Sequence, residues 1–183
     1  DRYEIVGAPE MEEYALPLPV MQAEGQEDKP SNKKTSLLVI EDNEEIRHYV
    51  CSLFCKDYAV YEAANGEEGV DVAISKIPDL IISDIMMPVK DGFTCCRELR
   101  EQPRTAHIPI LMLTAKAEDA DVLQASKIGV DDYMMKPFNP EVLKPKVRNL
   151  ILQRERLKRI YTKTLMLKQQ ESEPEADGNN APD

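Results

Sequence analysis

An alternation constrains this chain more than any other feature. Short apolar runs take turns with segments of helical spacing from residue 36 onward. "SLLVIED" (36–42), "YAVYEAAN" (58–65), "DLIISD" (79–84), "IPILMLTA" (108–115) and "DDYMMK" (131–136) read as strands. Between them, "NEEIRHYVCSLFCK" (43–56), "GEEGVDVAISKI" (66–77), "DGFTCCRELRE" (91–101) and "EDADVLQASKIG" (118–129) read as helices. The first places Ile46, Val50, Leu53 and Phe54 on one face behind a cap at Asn43, and the fourth stops at Gly129. From Asn139 a long helix is expected to run to about Gln170, with Lys144–Pro145 as a candidate break. Five strands alternating with helices imply a parallel sheet covered on both faces, the doubly wound α/β class. Such sheets bind ligands at the carboxyl ends of their strands, where strand order switches.

The residues closing the strands are therefore the candidate site. Strand one closes on Glu41 and Asp42, strand three on Asp84, strand four on Thr114, and strand five on Lys136. Asp84 ends the apolar run of "PDLIISDIMMPVKDG", where a carboxylate is costly unless something pairs with it. An acidic rim that merely solubilises the sheet would account for Asp84 alone. It does not account for three acids, a hydroxyl and an ammonium, each at its own strand end. Clustered carboxylates raise one another's pKa unless a cation intervenes. Mg²⁺ suits them, because it takes oxygen ligands and keeps waters for an incoming phosphate. Lys136 can pair with Asp84 or with a phosphoryl oxygen, and Thr114 can donate to such an oxygen. A carboxylate can also act as a nucleophile toward phosphorus, giving an acyl phosphate.

Composition narrows the partners. The net charge of -11 argues against a nucleic-acid-binding surface over the whole chain. The charge is uneven: residues 139–170 carry 9 bases against 2 acids, whereas residues 171–183 carry 5 acids and no base. No apolar run approaches membrane-spanning length and no leader is visible, so no membrane contact is expected of this stretch. The first residue is Asp1, which suggests a piece of a longer protein. Cys51, Cys55, Cys95 and Cys96 lack zinc-site spacing and read as reduced thiols; His48 and His107 are isolated. Residues 1–36 start with a candidate strand, "DRYEIVG", and continue in linker composition; residues 171–183 have disordered-linker composition.

With "ED" at 41–42, "DIMMPVKDG" at 84–92, "LTA" at 113–115 and "KPF" at 136–138 in order, the chain resembles the receiver domain of two-component signalling. The likeness covers about residues 36–152. It implies a flavodoxin-like (βα)₅ sheet in the order 2-1-3-4-5. It also implies that Asp84 accepts a phosphoryl group from the phosphohistidine of a histidine kinase. Asp42 and Asp84, with the Met86 carbonyl, would bind Mg²⁺, and Glu41 would hold it through water. Lys136 would contact the phosphoryl group. Thr114 and Tyr133 would form the switch, remodelling the face made by residues 118–129, strand five and the final helix. Many receivers have Asp where this chain has Glu41.

The stretches "LLVIEDNEEIR", "LIISDIMMPVKDG" and "RTAHIPILMLTAKA" most resemble receivers of hybrid histidine kinases of the Bacteroides type. That resemblance implies a cytoplasmic segment whose kinase donor lies in the same parent chain. A DNA-binding domain would follow, outside this stretch. Residues 1–35 would be linker and the end of the kinase region, 36–152 the receiver, 153–170 a helical extension and 171–183 a linker. The whole would be a phosphotransfer receiver rather than a conventional enzyme. The extension, with Leu157, Ile160 and Leu165 among bases, reads as a solvated helix or as a dimerising, signal-transmitting one; a homodimer is a candidate. A non-phosphorylated interaction module on the same fold is the rival reading. A nucleotide enzyme is disfavoured because "EDNEE" after strand one lacks glycine and repels phosphate. A haloacid-dehalogenase-type phosphatase would want a second Asp where Met86 stands.

Overall fold

A computed structural model describes residues 34–115 and 127–170. Its strands are β1 (Ser36–Ile40), β2 (Ala59–Ala63), β3 (Leu80–Asp84), β4 (Ile110–Thr114) and β5 (Asp132–Met135). They pair in parallel in the order 2-1-3-4-5. The helices are α1 (Glu44–Phe54), α2 (Gly66–Lys76), α3 (Gly92–Glu101) and α4 (Pro140–Gln170). This is the flavodoxin-like doubly wound sheet that the alternation and the resemblance implied, with an extended C-terminal helix.

The period of two along each strand divides the core between the sheet's faces. Leu37, Val39, Leu80, Ile82, Leu111 and Leu113 point toward α1 and α4, packing on Val50, Phe54, Leu143 and Val147. Leu38, Ile40, Ile81 and Met112 point the other way, onto Val70 and Ala73 of α2 and Phe93, Cys96 and Leu99 of α3. Burial on both faces holds throughout β1, β3 and β4. It does not hold for β2 and β5, where Val60 and Tyr61 are half-buried and Tyr133 and Met135 exposed. Those two strands form the edges, so the uniform apolar burial expected of such strands stops at the three inner ones.

Local chemistry starts the helices within one residue of the expected positions, with the expected cap at Asn43 and two further caps at Asn65 and Asp91. Asn43, Asn65 and Asp91 accept hydrogen bonds from the N–H groups of Ile46, Glu68 and Thr94 at 3.0, 2.9 and 2.8 Å. Asn139 does the same for Glu141 at 2.9 Å, so α4 begins one residue later than expected, at Pro140. The candidate break at Pro145 is not a break: α4 runs through it to Gln170. Its missing N–H forfeits one bond within the helix. Leu143 and Val147, fully buried on either side, hold the axis against the sheet. Among the described residues, Ile151 is the last buried one of α4.

The expected helix at 118–129 lies largely outside the described residues. Its described end, residues 127–128, is helical, and Gly129 follows with φ +88° in the left-handed region. The expectations for residues 1–33 and 171–183 also fall outside the described residues.

Candidate functional site

The register brings the strand ends together. Ile40 pairs with Ser83, so Glu41 stands level with Asp84; Asp84 pairs with Leu113, and Thr114 with Met135, the residue before Lys136. All five expected groups thus sit at one edge, around the crevice between β1 and β3. Ligand oxygens of Glu41, Asp42 and Asp84 lie within 4.8 Å of one another. Glu41 and Asp84 are buried and Asp42 is exposed, so the cluster opens to solvent on Asp42's side. Thr114 is buried at its strand end. Tyr133 on β5 is 41% exposed, facing outward. The Met86 side chain is exposed as well, so only its backbone is available to the pocket.

Lys136 Nζ lies 2.7 Å from Glu41 Oε2 and 3.2 Å from Asp84 Oδ2, bridging both buried acids. Glu41 Oε1 accepts from the N–H of Asn43 at 3.2 Å. Asp84 Oδ1 accepts from the N–H of Ile85 at 2.9 Å. Burial raises the pKa of both acids above their ordinary values, and Lys136 only partly offsets it. Burial alone would lower Lys136, but the hydrogen bond from its ammonium to Glu41 and the nearby Asp84 charge outweigh that and hold it above its ordinary value. The acids and the lysine shift the same way because one ammonium serves two desolvated carboxylates. With Asp42 beside them, the negative charge is undercompensated. An all-oxygen set in that condition fits a small divalent cation such as Mg²⁺.

Two supporting residues were not singled out in the sequence. Arg47 Nη1 donates to the Glu41 carbonyl at 2.7 Å and its Nε lies 3.4 Å from Glu62, so α1 pins the acidic turn after β1. A base one turn into the helix that follows the acidic pair was the available signal. Gly92 packs so tightly that a Cβ would collide with the carbonyl oxygen of Asp84. Glycine right after the α3 cap, eight residues past the strand end, marked that close approach.

This fold, with this set of groups at its carboxyl edge, defines a two-component signalling domain. Residues 37–148 match the response regulator receiver domain, and the chain belongs to that family. It is 35% identical over 140 residues to the sensor histidine kinase TmoS of Ectopseudomonas mendocina, covering 76% of this chain and 14% of that protein. It is 40% identical over 119 residues to the transcriptional regulatory protein ResD of Bacillus subtilis, covering 64% of this chain and 48% of that one. The chain therefore spans half or less of the length of these two relatives. Among solved structures, the chemotaxis protein CheY4 of Vibrio cholerae superposes with a TM-score of 0.61 at 32% identity, over 63% of this chain and 98% of that one. The receiver domain of a histidine kinase from Syntrophus aciditrophicus gives a TM-score of 0.61 at 32% identity, over 65% and 91%.

Proposed function

We propose that Asp84 is the phosphoacceptor of this receiver domain, in a Mg²⁺-dependent transfer from a phosphohistidine. The observation that carries the reading is the Lys136 bridge between Glu41 and Asp84 beside exposed Asp42. An Asp84 oxygen attacks phosphorus and forms the P–O bond. The P–N bond of the donor breaks, and its electron pair returns to the imidazole. Asp42 and Asp84, with the Met86 carbonyl, would hold Mg²⁺, and Glu41 would reach it through water. The ion supplies positive charge against the phosphoryl oxygens as the group transfers. Lys136 binds one phosphoryl oxygen as it turns from Asp84. Thr114 donates to another, and Tyr133 follows it inward, altering the face formed by β5 and α4.

The donor is a histidine kinase domain, and the likeness to sensor histidine kinases supports one in the same parent chain. The signal passes to a DNA-binding domain beyond this stretch, on the cytoplasmic side of the membrane. Residues 36–152 form the receiver and 153–170 the extension. Among the described residues no helix is long and apolar enough to cross a membrane.

Intact mass after incubation with acetyl phosphate tests the assignment. The expected result is one adduct of about 80 Da, formed with Mg²⁺, lost with EDTA and lost in Asp84→Asn. An adduct that survives Asp84→Asn contradicts it, and no adduct at all leaves the rival non-phosphorylated interaction module.

A further inference from the structure

The family match ends at residue 148, yet α4 continues past Ile151 to Gln170, about 28 Å of further helix. The root of this extension is fixed. Arg154 Nη1 donates to the Asp79 carbonyl at 2.9 Å and lies 3.2 Å from Asp79 Oδ1. Asp79 Oδ2 in turn accepts from the N–H of Ser36 at 2.8 Å. The loop before β3 and the start of β1 therefore set the direction in which the helix leaves the domain.

Beyond that latch, an apolar seam and a one-signed border coincide. Leu157, Ile160 and Leu167 are 58, 55 and 54% exposed. They follow heptad spacing, with Leu157 and Thr164 at one seam position and Ile160 and Leu167 at the other. Arg156 and Lys163 border the seam on one side, Tyr161 and Lys168 on the other, so every charge beside it is positive. Glu155, the one acid of residues 152–170, falls on the outer face. Charges in these bordering positions select the partner of a helical seam. They repel a second copy. A parallel pair sets Lys163 near Lys168, and an antiparallel pair sets the Arg156–Lys163 edge against itself. We propose that the extension is the docking surface for a partner helix of complementary chemistry, apolar along its seam and bordered by Asp or Glu.

Helical geometry favours a slender partner over an anionic bilayer. Leu143 and Tyr161 are 18 residues apart, five whole turns, as are Val147 and Leu165. The side of the extension that carries Tyr161 and Leu165 therefore continues the face that α4 lays on the sheet. A flat surface laid along that side meets the receiver domain, whereas a single helix about 10 Å across lies beside the extension. A nucleic-acid backbone would neutralise the bases and leave the seam in water. The seam and the stems of the bordering bases offer about 500 Å², and an equal partner brings the total to about 1,000 Å², the size of a weak, reversible contact. The Arg154 latch lowers the ordering cost, because the helix is already aimed. Added salt screens the acid–base pairs and weakens the complex. The proposal does not depend on Asp84 accepting a phosphoryl group.

The test titrates the whole 183-residue chain, without phosphodonor, into a labelled synthetic helix of about three heptads and reads fluorescence anisotropy. The probe carries Ile and Leu along its seam and Glu beside it; a control probe carries Lys beside the same seam. The Glu probe should bind with a Kd of roughly 10–100 μM at low salt, and the Lys probe at least about 10-fold more weakly. Raising salt from about 50 to 500 mM should weaken the Glu complex several-fold. Ile160→Ser on the seam should weaken it about 10-fold, and Thr162→Ser on the outer face should leave it unchanged. Lys163→Glu should lose affinity for the Glu probe and regain it with a probe whose facing Glu is replaced by Lys. No binding of the Glu probe, equal binding of the Lys probe, an Ile160→Ser chain that binds as tightly as the natural one, or no rescue of Lys163→Glu would each overturn the proposal. So would a chain that dimerises in sedimentation equilibrium at these concentrations, or one that leaves the Glu probe for phosphatidylserine vesicles at low salt.

Discussion

Glu41 and Asp84 are buried and share one ammonium, Lys136. Removing the ammonium leaves both carboxylates desolvated and unpaired. Lys136→Met should therefore destabilise the fold by about 3 kcal/mol, read from urea unfolding in the absence of metal. Gly92 has a different reason for its identity. A methyl group there runs into the Asp84 carbonyl, so Gly92→Ala should cost about 1–3 kcal/mol and shift the loop carrying Asp84. The thiols give a third test at this scale. Burial pushes Cys51 and Cys95 up to about 12 and Cys96 up to about 11, whereas Cys55 is exposed. A raised thiol pKa keeps the unreactive protonated form at pH 8. Iodoacetamide should therefore label native protein at Cys55 alone and unfolded protein at all four cysteines. The sequence marked Glu41, Asp42, Asp84, Thr114 and Lys136 because each follows an apolar run. It did not reveal that Glu41 would be the lysine's nearer acid, since that depends on side-chain reach across the sheet.

At the scale of elements, start signals were the most legible. Asn43 was readable because a short polar side chain ahead of an amphipathic run has a specific use, accepting an otherwise orphan N–H; Asn65 and Asp91 do the same, but in the sequence they read as the end of a strand and the start of a helix. Asp91→Ala should cost about 1 kcal/mol in thermal or urea unfolding. Strand edges were less legible: Glu62 in β2 and Asp132 in β5 interrupt the apolar runs, but only the strand order says which strands pair on one side. Pro145 was misleading for a related reason. Local chemistry disfavours it, but the packing of Leu143 and Val147 overrides it. Pro145→Ala should restore the missing backbone bond and raise stability by about 1 kcal/mol, by urea unfolding.

For the whole molecule, the alternation of strands and helices leads to the doubly wound class, but strand order is not written in any local pattern. It entered through the resemblance, and the pairing of β1 between β2 and β3 agrees with it. That order makes the edge between β1 and β3 the place where groups from residues 41 to 136 meet. The extension was legible as a basic helix. That its root is latched to the loop before β3 was not, because Asp79 and Arg154 are 75 residues apart and neither carries a motif. The central claim is that this convergence exists to make Asp84 a phosphoryl acceptor. Borohydride reduction after treatment with acetyl phosphate and Mg²⁺, followed by peptide sequencing, tests it most directly, because an aspartyl phosphate is reduced to homoserine. The account predicts homoserine at position 84 and nowhere else. Homoserine at position 42, or an unmodified Asp84 in protein shown to be folded, would contradict it.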